Sequence, residues 1–282
     1  MARALLTMAQ PPITRPEMVT YSLVKTAADE QGDRQLVREA QWLRELEPVR
    51  SLEGQVPRLL DEGVNAEGRR YLVMSVAHGT GETRAFTVGH GRFLAALGRA
   101  RFRSTDFEVS GCGEHLARSL RRLEGQVSGA ALGMLRGAFR DCETALLYWT
   151  GPYVLSQGDF APWNIRTLGT QLFVHEWGQA RTEASPLDDV LHYFMIQRAL
   201  YGRAVTASFL QGAMKRAHAF ALAAYPEWRW RPRVIGALTL VYLLGALLHA
   251  SLAAGRLDRR DRVVRSYWNL IEKRSAWMPS DN

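Results

Sequence analysis

Leu155 to Trp177 reads LSQGDFAPWNIRTLGTQLFVHEW, and the fold turns on how its acids and amides are spaced. In GDFAPWN, Asp159 and Asn164 stand five residues apart on an irregular stretch just after the short β-rich run YVLS. Both side chains can face one phosphate site. Phosphoryl transfer uses such a pair: a carboxylate to orient and deprotonate the attacking hydroxyl, and oxygen ligands to hold magnesium on the nucleotide phosphates. A second acid, Glu176, ends the next β-like run, QLFVHEW, and a hairpin of this length can return it to the same pocket. On spacing alone, an Asx turn at Asp159 and a cap at Asn164 account for the two residues equally well.

Toward the N-terminus, ALLTMA and MVTYSLVKT are β-rich runs separated by the turn-forming QPPITRPE, a hairpin signature. From Asp33, read as an N-cap, the stripe Leu36, Val37, Ala40, Leu43 and Leu46 predicts a helix. Glu39 lies three residues after Leu36 and four before Leu43, on or beside that stripe, where a carboxylate needs a partner. VPRLLDEG and RRYLVMSVAHG predict two further strands joined by NAEG. After His78 the pattern becomes mainly helical, with helices predicted around Arg92 to Arg99, His115 to Leu123 and Ala130 to Tyr148; Trp149 to Pro152 breaks it. From Pro186 onward the pattern is helical again, and a boundary near Val76 to Gly81 divides the chain.

The 282 residues carry a formal charge of +8, which raises the question of nucleic acid. Of the 36 basic residues only Lys25, Lys215 and Lys273 are lysines, and the arginines are interleaved with acids and apolar residues, as on solvated helix faces. A nucleic-acid footprint would cluster them, so no nucleic-acid partner is expected. Cys112 and Cys142 have no CxxC partner and build neither a disulfide framework nor a metal site, which suits a reducing cytoplasm. Val234 to Ala254 has no formal charge over a length that could span a bilayer. Thr239, Tyr242, His249 and Ser251 make it less apolar than a typical span and arginines flank both ends, so it is expected to be a buried helix.

QGDFAPWNIRTLGTQLFVHEWGQA followed by SPLDDVLHY resembles the HGDxxxxN loop, IDW strand and DPxxDL segment of the aminoglycoside phosphotransferase and choline kinase superfamily. The resemblance implies an α+β, two-lobed protein-kinase-like fold, with a small, truncated β-rich N-lobe at 1–78 and a larger helical C-lobe at 79–282. By position, Asp159 is similar to the family's catalytic base and Asn164 to its magnesium ligand. Glu176 stands at the second metal-binding acid, and Asp189 matches a structural helix-start Asp. Lys25 closes MVTYSLVK where the family keeps the lysine that contacts the nucleotide phosphates, and an ion pair with Glu39 would position it. A snorkelling Lys25 and a boundary Glu39 are the alternative. The adenine base would meet the backbone around Met74 to Val76.

Three departures bear on activity. Gln157 replaces the family's His before GD, a bracing role that Gln can fill by hydrogen bonding. Glu176 replaces Asp, and its extra methylene displaces a carboxylate that magnesium needs in near-octahedral geometry. No glycine precedes Gly32, so the glycine-rich strand pair over the phosphates is missing or heavily shortened: either the start lies upstream or ATP is held without that lid. Elsewhere, His175 has no second histidine at metal spacing. SGCGEH around Cys112 reads as a loop before a helix, and GTGET, which lacks the lysine of a phosphate loop, reads as the lobe connection. The expected activity is ATP- and magnesium-dependent transfer to a hydroxyl of an amino sugar or sugar-like small molecule. The alternative is a pseudokinase acting as a binding or scaffolding module.

Overall fold

The computed structural model describes residues 5–9, 22–77, 85–168 and 171–279. In chain order its elements begin with β1 (Leu5–Ala9), β2 (Ser22–Thr26), α1 (Glu30–Leu46), β3 (Leu59–Val64), β4 (Arg70–Ser75) and α2 (Val88–Ala100). Then come β5 (Phe102–Thr105), α3 (Gly111–Arg122), α4 (Gly129–Leu146), β6 (Gly151–Ser156), β7 (Ile165–Leu168), β8 (Gln171–Val174) and β9 (Arg181–Ala184). Four helices finish the chain: α5 (Asp188–Leu200), α6 (Ala207–Ala224), α7 (Pro232–Ala253) and α8 (Arg262–Glu272). The chain forms two compact units, residues 1–100 with 157–180 and residues 101–156 with 181–282. The expected lobe connection GTGET, the turn QPPITRPE and part of the boundary near Val76 to Gly81 lie outside the described residues.

In the first unit an antiparallel sheet runs in the order β1-β2-β4-β3, with Lys25 opposite Leu6 on one side and Leu72 on the other. A strand therefore does flank the Lys25 strand; the residues joining β1 to β2 lie outside the described ones. Helix α1 starts earlier than expected. Its cap is Asp29, whose carboxylate accepts from the Gly32 amide at 2.7 Å, and not Asp33, which lies within the first turn and accepts from Arg70 at 3.2 Å. Its buried stripe is Leu36, Glu39, Ala40, Leu43 and Leu46, whereas Val37 is exposed. A helical step of about 100° carries Val37 off that stripe, while Glu39 falls on it. The β7–β8 hairpin completes this unit.

In the second unit β5, β6 and β9 form a sheet in that order, and α3 to α8 supply the rest. Strand β6 is fully buried and includes Pro152, where the sequence pattern breaks. Its ladder to β9 begins only at Val154, so the missing N–H of Pro152 loses no bond on that side. Strands β5, β7 and β9 were not expected because RFRST, IRTL and RTEA carry no apolar alternation; each forms by pairing with a more apolar neighbour. Cys112 lies in the first turn of α3 and not in a loop, because Ser110 Oγ accepts from the Gly113 amide at 3.1 Å and starts the helix earlier.

The uncharged stretch forms α7, the one helix among the described residues long and apolar enough to cross a membrane. It packs against α3, α4, α5, α6 and α8 and is buried over most of its length. Its polar groups are satisfied: Thr239 and Ser251 hydroxyls donate to Ile235 and Leu247 carbonyls at 2.7 and 2.8 Å, and Tyr242 meets the Tyr267 hydroxyl at 2.9 Å. A core helix of this kind accounts for the composition.

Candidate active site

Two clusters of the expected residues form within the first unit. In one, Lys25 projects from β2 and its Nζ donates to both oxygens of Glu39 at 2.8 and 2.7 Å and meets Glu176 Oε1 at 2.7 Å. Lys25 and Glu39 are each at most 2% exposed, so neither is a snorkelling or boundary residue. Glu39 also accepts from the backbone amide of Trp177 at 3.1 Å. Burial opposes the charge on Lys25, but the two carboxylates outweigh it and raise its pKa. Burial pushes Glu39 upward, and the second carboxylate beside the same lysine adds to that rise. Glu176 is the opposite case: burial disfavours its charge, yet His175 and Lys25 beside it hold the pKa down, to about 2.

In the second cluster the Asn164 amide donates to the Asp159 carbonyl and to Asp159 Oδ2, both at 2.8 Å. An amide that gives both hydrogens to oxygens has its nitrogen there, so its Oδ1 faces the other way, available to a ligand. Asn164 is the last residue of a short 3-10 turn, Pro162–Asn164, whose proline fixes the entry. The loop is therefore more than an isolated Asx turn.

Gln157 joins the clusters. Fully buried, it accepts from the Asp159 amide at 2.9 Å and donates to the His175 and Glu176 carbonyls at 3.0 and 2.6 Å. A second tie runs from the His175 amide to the Asn164 carbonyl at 3.0 Å. Gly158 has φ +84°, and a Cβ there would lie 2.2 Å from the Gln179 carbonyl oxygen, so the position requires glycine. Beneath the loop Phe160 stacks on Phe93 of α2 at 5.9 Å, and Phe93 meets Trp177 at 6.5 Å. The Phe93 and Trp177 contacts were not foreseen; the only sequence signal for Phe93 was its place in the apolar periodicity around 92–99.

Glu176 has left-handed backbone, φ 64°, ψ 63°, at the start of the turn Trp177–Gln179. A non-glycine residue there costs roughly 1–2 kcal/mol, and its ion pair with Lys25 offsets part of that strain. The His175 Nδ1 is buried and lies 3.8 Å from Glu176 Oε1, beyond hydrogen-bond distance. Met74 lies buried in β4 and Val76 just beyond it; among the described residues neither shares a hydrogen bond or ion pair with the two clusters. In the second unit Asp189, the helix-start acid, accepts from the Ser156 hydroxyl at 2.9 Å, consistent with a structural role.

Whether these residues suit magnesium can be judged from their donors. Among the described residues no group of three His, Cys, Asp or Glu side chains is arranged around a cation. Magnesium needs no such cage, because it keeps several waters and takes one or two protein oxygens plus substrate phosphates. The Asn164 Oδ1 and the part-exposed Glu176 carboxylate are hard oxygen donors of the required kind.

Comparison with solved structures bears on the fold. An aminoglycoside phosphotransferase APH(4)-Ia, in a ternary complex with AMP-PNP and hygromycin B, matches 96% of this chain and 95% of its own, with a TM-score of 0.62. This chain has the two-lobed kinase-like fold. The kinase-like fold extends over nearly the whole length, because APH(2")-IIIa with GDP and kanamycin aligns over 96% of this chain and 93% of its own at a TM-score of 0.57. ADP-bound APH(2'')-Ib aligns over 98% and 95% at 0.56. Sequence identities are only 13%, 14% and 14%, so the likeness is one of fold. No protein-family model and no curated protein matches the chain.

Proposed function

We propose that the protein is an ATP- and magnesium-dependent phosphotransferase acting on a hydroxyl of a small molecule, an amino sugar or a sugar-like compound. The observation that carries the reading is the coupling of the two clusters through Gln157, which ties the Asp159 amide to the Glu176 backbone. Residues 1–78 supply the nucleotide side, with the base against the backbone near Met74 and Val76. Lys25 binds phosphate oxygens, and Glu39 orients Lys25. Asp159 orients the acceptor hydroxyl and takes its proton. Asn164 and Glu176 hold magnesium, which when bound neutralises charge on the phosphates. Residues 79–282 supply the catalytic loop and the acceptor side, in a cytoplasmic enzyme. Support for the substrate class comes from the aminoglycosides bound by the structural neighbours.

One observation favours a second reading, a pseudokinase that serves as a binding or scaffolding module: Lys25 already spans Glu39 and Glu176, so one metal-facing oxygen is held in an ion pair. The two readings separate in solution. For the enzyme, ATP with magnesium raises the thermal midpoint, and Asp159→Asn removes transfer while keeping that shift. For the pseudokinase, Asp159→Asn changes no measured hydrolysis or transfer. Absence of any shift with ATP and magnesium would sink the enzyme reading.

A further inference from the structure

An ammonium has three N–H bonds to give, and Lys25 has all three committed. Two go to the Glu39 carboxylate at 2.8 and 2.7 Å, and the third faces Glu176 Oε1 at 2.7 Å. A phosphate oxygen can therefore bind Lys25 only by displacing one of these acceptors. Being 2% exposed, the ammonium does not meet the phosphate by swinging out into solvent.

The two acceptors are not held equally. Glu39 is 1% exposed and also accepts from the Trp177 amide at 3.1 Å, so releasing it would strand a buried carboxylate. The Glu176 side chain is 34% exposed, and its other close polar neighbour, His175 Nδ1, lies 3.8 Å off. The Glu176 backbone is left-handed, φ 64°, a conformation that a non-glycine residue keeps only while surrounding contacts hold it. Of the three bonds, the one to Glu176 is the one that can open, because that carboxylate has solvent to turn to.

Charge decides what opens it. A divalent cation is drawn to the two carboxylates, but Glu176 Oε1 already faces an ammonium that repels a cation at close range. A phosphate meets the reverse problem, since it must approach both carboxylates to reach one lysine. With both ligands present the two difficulties cancel. The phosphate oxygen replaces Glu176 on Lys25, and the freed carboxylate joins Asn164 as an oxygen donor for the cation.

We infer that the Lys25–Glu176 ion pair is a latch that makes nucleotide and divalent cation bind together and neither well alone. The latch rests on the phosphotransferase reading of the site and adds its regulation. Such coupling is reciprocal: nucleotide tightens cation binding by the same factor as cation tightens nucleotide binding.

The test uses the full-length protein, Mn2+ as a spectroscopic replacement for magnesium, and the ATP analogue AMP-PNP. In a titration without nucleotide, followed by the electron spin resonance of free Mn2+, wild type should bind with a Kd above about 1 mM. Lys25→Met should bind Mn2+ at least about tenfold tighter, and adding Glu176→Gln to that variant should abolish the gain. In calorimetry with EDTA present, Glu176→Gln should bind AMP-PNP at least about fivefold tighter than wild type, although it lacks a proposed metal ligand. Where the stranded Glu39 prevents Lys25→Met from folding, this second titration carries the test, because Glu176→Gln keeps the Lys25–Glu39 pair. The latch is overturned by wild-type Mn2+ binding as tight as that of Lys25→Met, or by metal-free AMP-PNP binding no tighter in Glu176→Gln than in wild type. AMP-PNP that binds no form of the protein, with Mn2+ or without, overturns the nucleotide reading of the site and the latch with it.

Discussion

Lys25 Nζ lies 2.7 Å from Glu39 Oε2 and 2.7 Å from Glu176 Oε1, so one buried ammonium ties α1 to the segment after β8. The arrangement holds two carboxylates on one cation. It is stable only while that cation is present, and this sets the first expectation.

Lys25→Met leaves Glu39 buried with the Trp177 amide as its remaining contact on this side. Removing one partner of a buried pair strands the other, at a cost of about 3–5 kcal/mol. A urea unfolding midpoint should fall accordingly. The double variant Lys25→Met with Glu39→Leu should recover part of the loss, because the stranded charge goes with its partner. An unchanged midpoint in the single variant would mean that the pair carries no stability.

The depressed pKa of Glu176 gives a pH signature in the metal-free protein. Its folded value, about 2, lies below the ordinary 4.5, so its charge contributes stability that is present above 4.5 and is lost as pH falls through about 2. The difference in thermal midpoint between wild type and Glu176→Gln should be constant from neutral pH down to about 5 and shrink below 4.5. Lys25, raised above 10.5, places the opposite limb in strong base, where stability is lost as the ammonium deprotonates. A difference that grows toward low pH would contradict the ion pair.

Glu176→Asp tests the departure from the family residue. Aspartate tolerates left-handed backbone better than glutamate, and it shortens the side chain by one carbon–carbon bond, about 1.5 Å. The variant should loosen the contact with Lys25 and free a carboxylate for magnesium, so transfer or magnesium-dependent ATP binding should rise by about tenfold or more, given that about 1 Å of misplacement can cost 100-fold. Titration calorimetry of ATP with and without magnesium reads the binding arm. Unchanged or weaker magnesium-dependent binding would show that the longer acid is no handicap.

Gln157→Leu keeps the side-chain volume and removes the bonds to the Asp159 amide and the His175 and Glu176 carbonyls. Leaving buried polar groups unpaired costs about 1–3 kcal/mol each where no water replaces the bond. Faster amide exchange at Asp159 and a lower unfolding midpoint are expected, while Gln157→His should retain most of the stability because its ring nitrogens can still donate and accept. Equal exchange in wild type and Gln157→Leu would rule out the brace.

Much of this was legible in the amino-acid order, and the failures are local ones. Asp159 and Asn164 could be paired by eye because only four residues separate them, and the loop between is held by its own proline turn. The misread cap at Asp33 and the misplaced Val37 arose because several acids and apolar residues near Asp29 to Leu36 satisfy the same helix-start pattern. Packing against the Trp177–Gln179 turn and the sheet chose among them. Strands β5, β7 and β9 were invisible because their stability comes from the partner strand and not from their own composition.

The sequence by itself determined the elements whose signals are periodic or closely spaced: the helix stripe that carries Glu39, the strand that carries Lys25, the GDFAPWN loop, and the apolar run that became α7. What only the tertiary structure decided is which polar groups meet. Trp177 caps a Glu39 carboxylate from 138 residues away, and Gln157 closes on carbonyls 18 and 19 residues on. Such bonds depend on burial and direction to within a few tenths of an ångström, which spacing along a chain cannot specify.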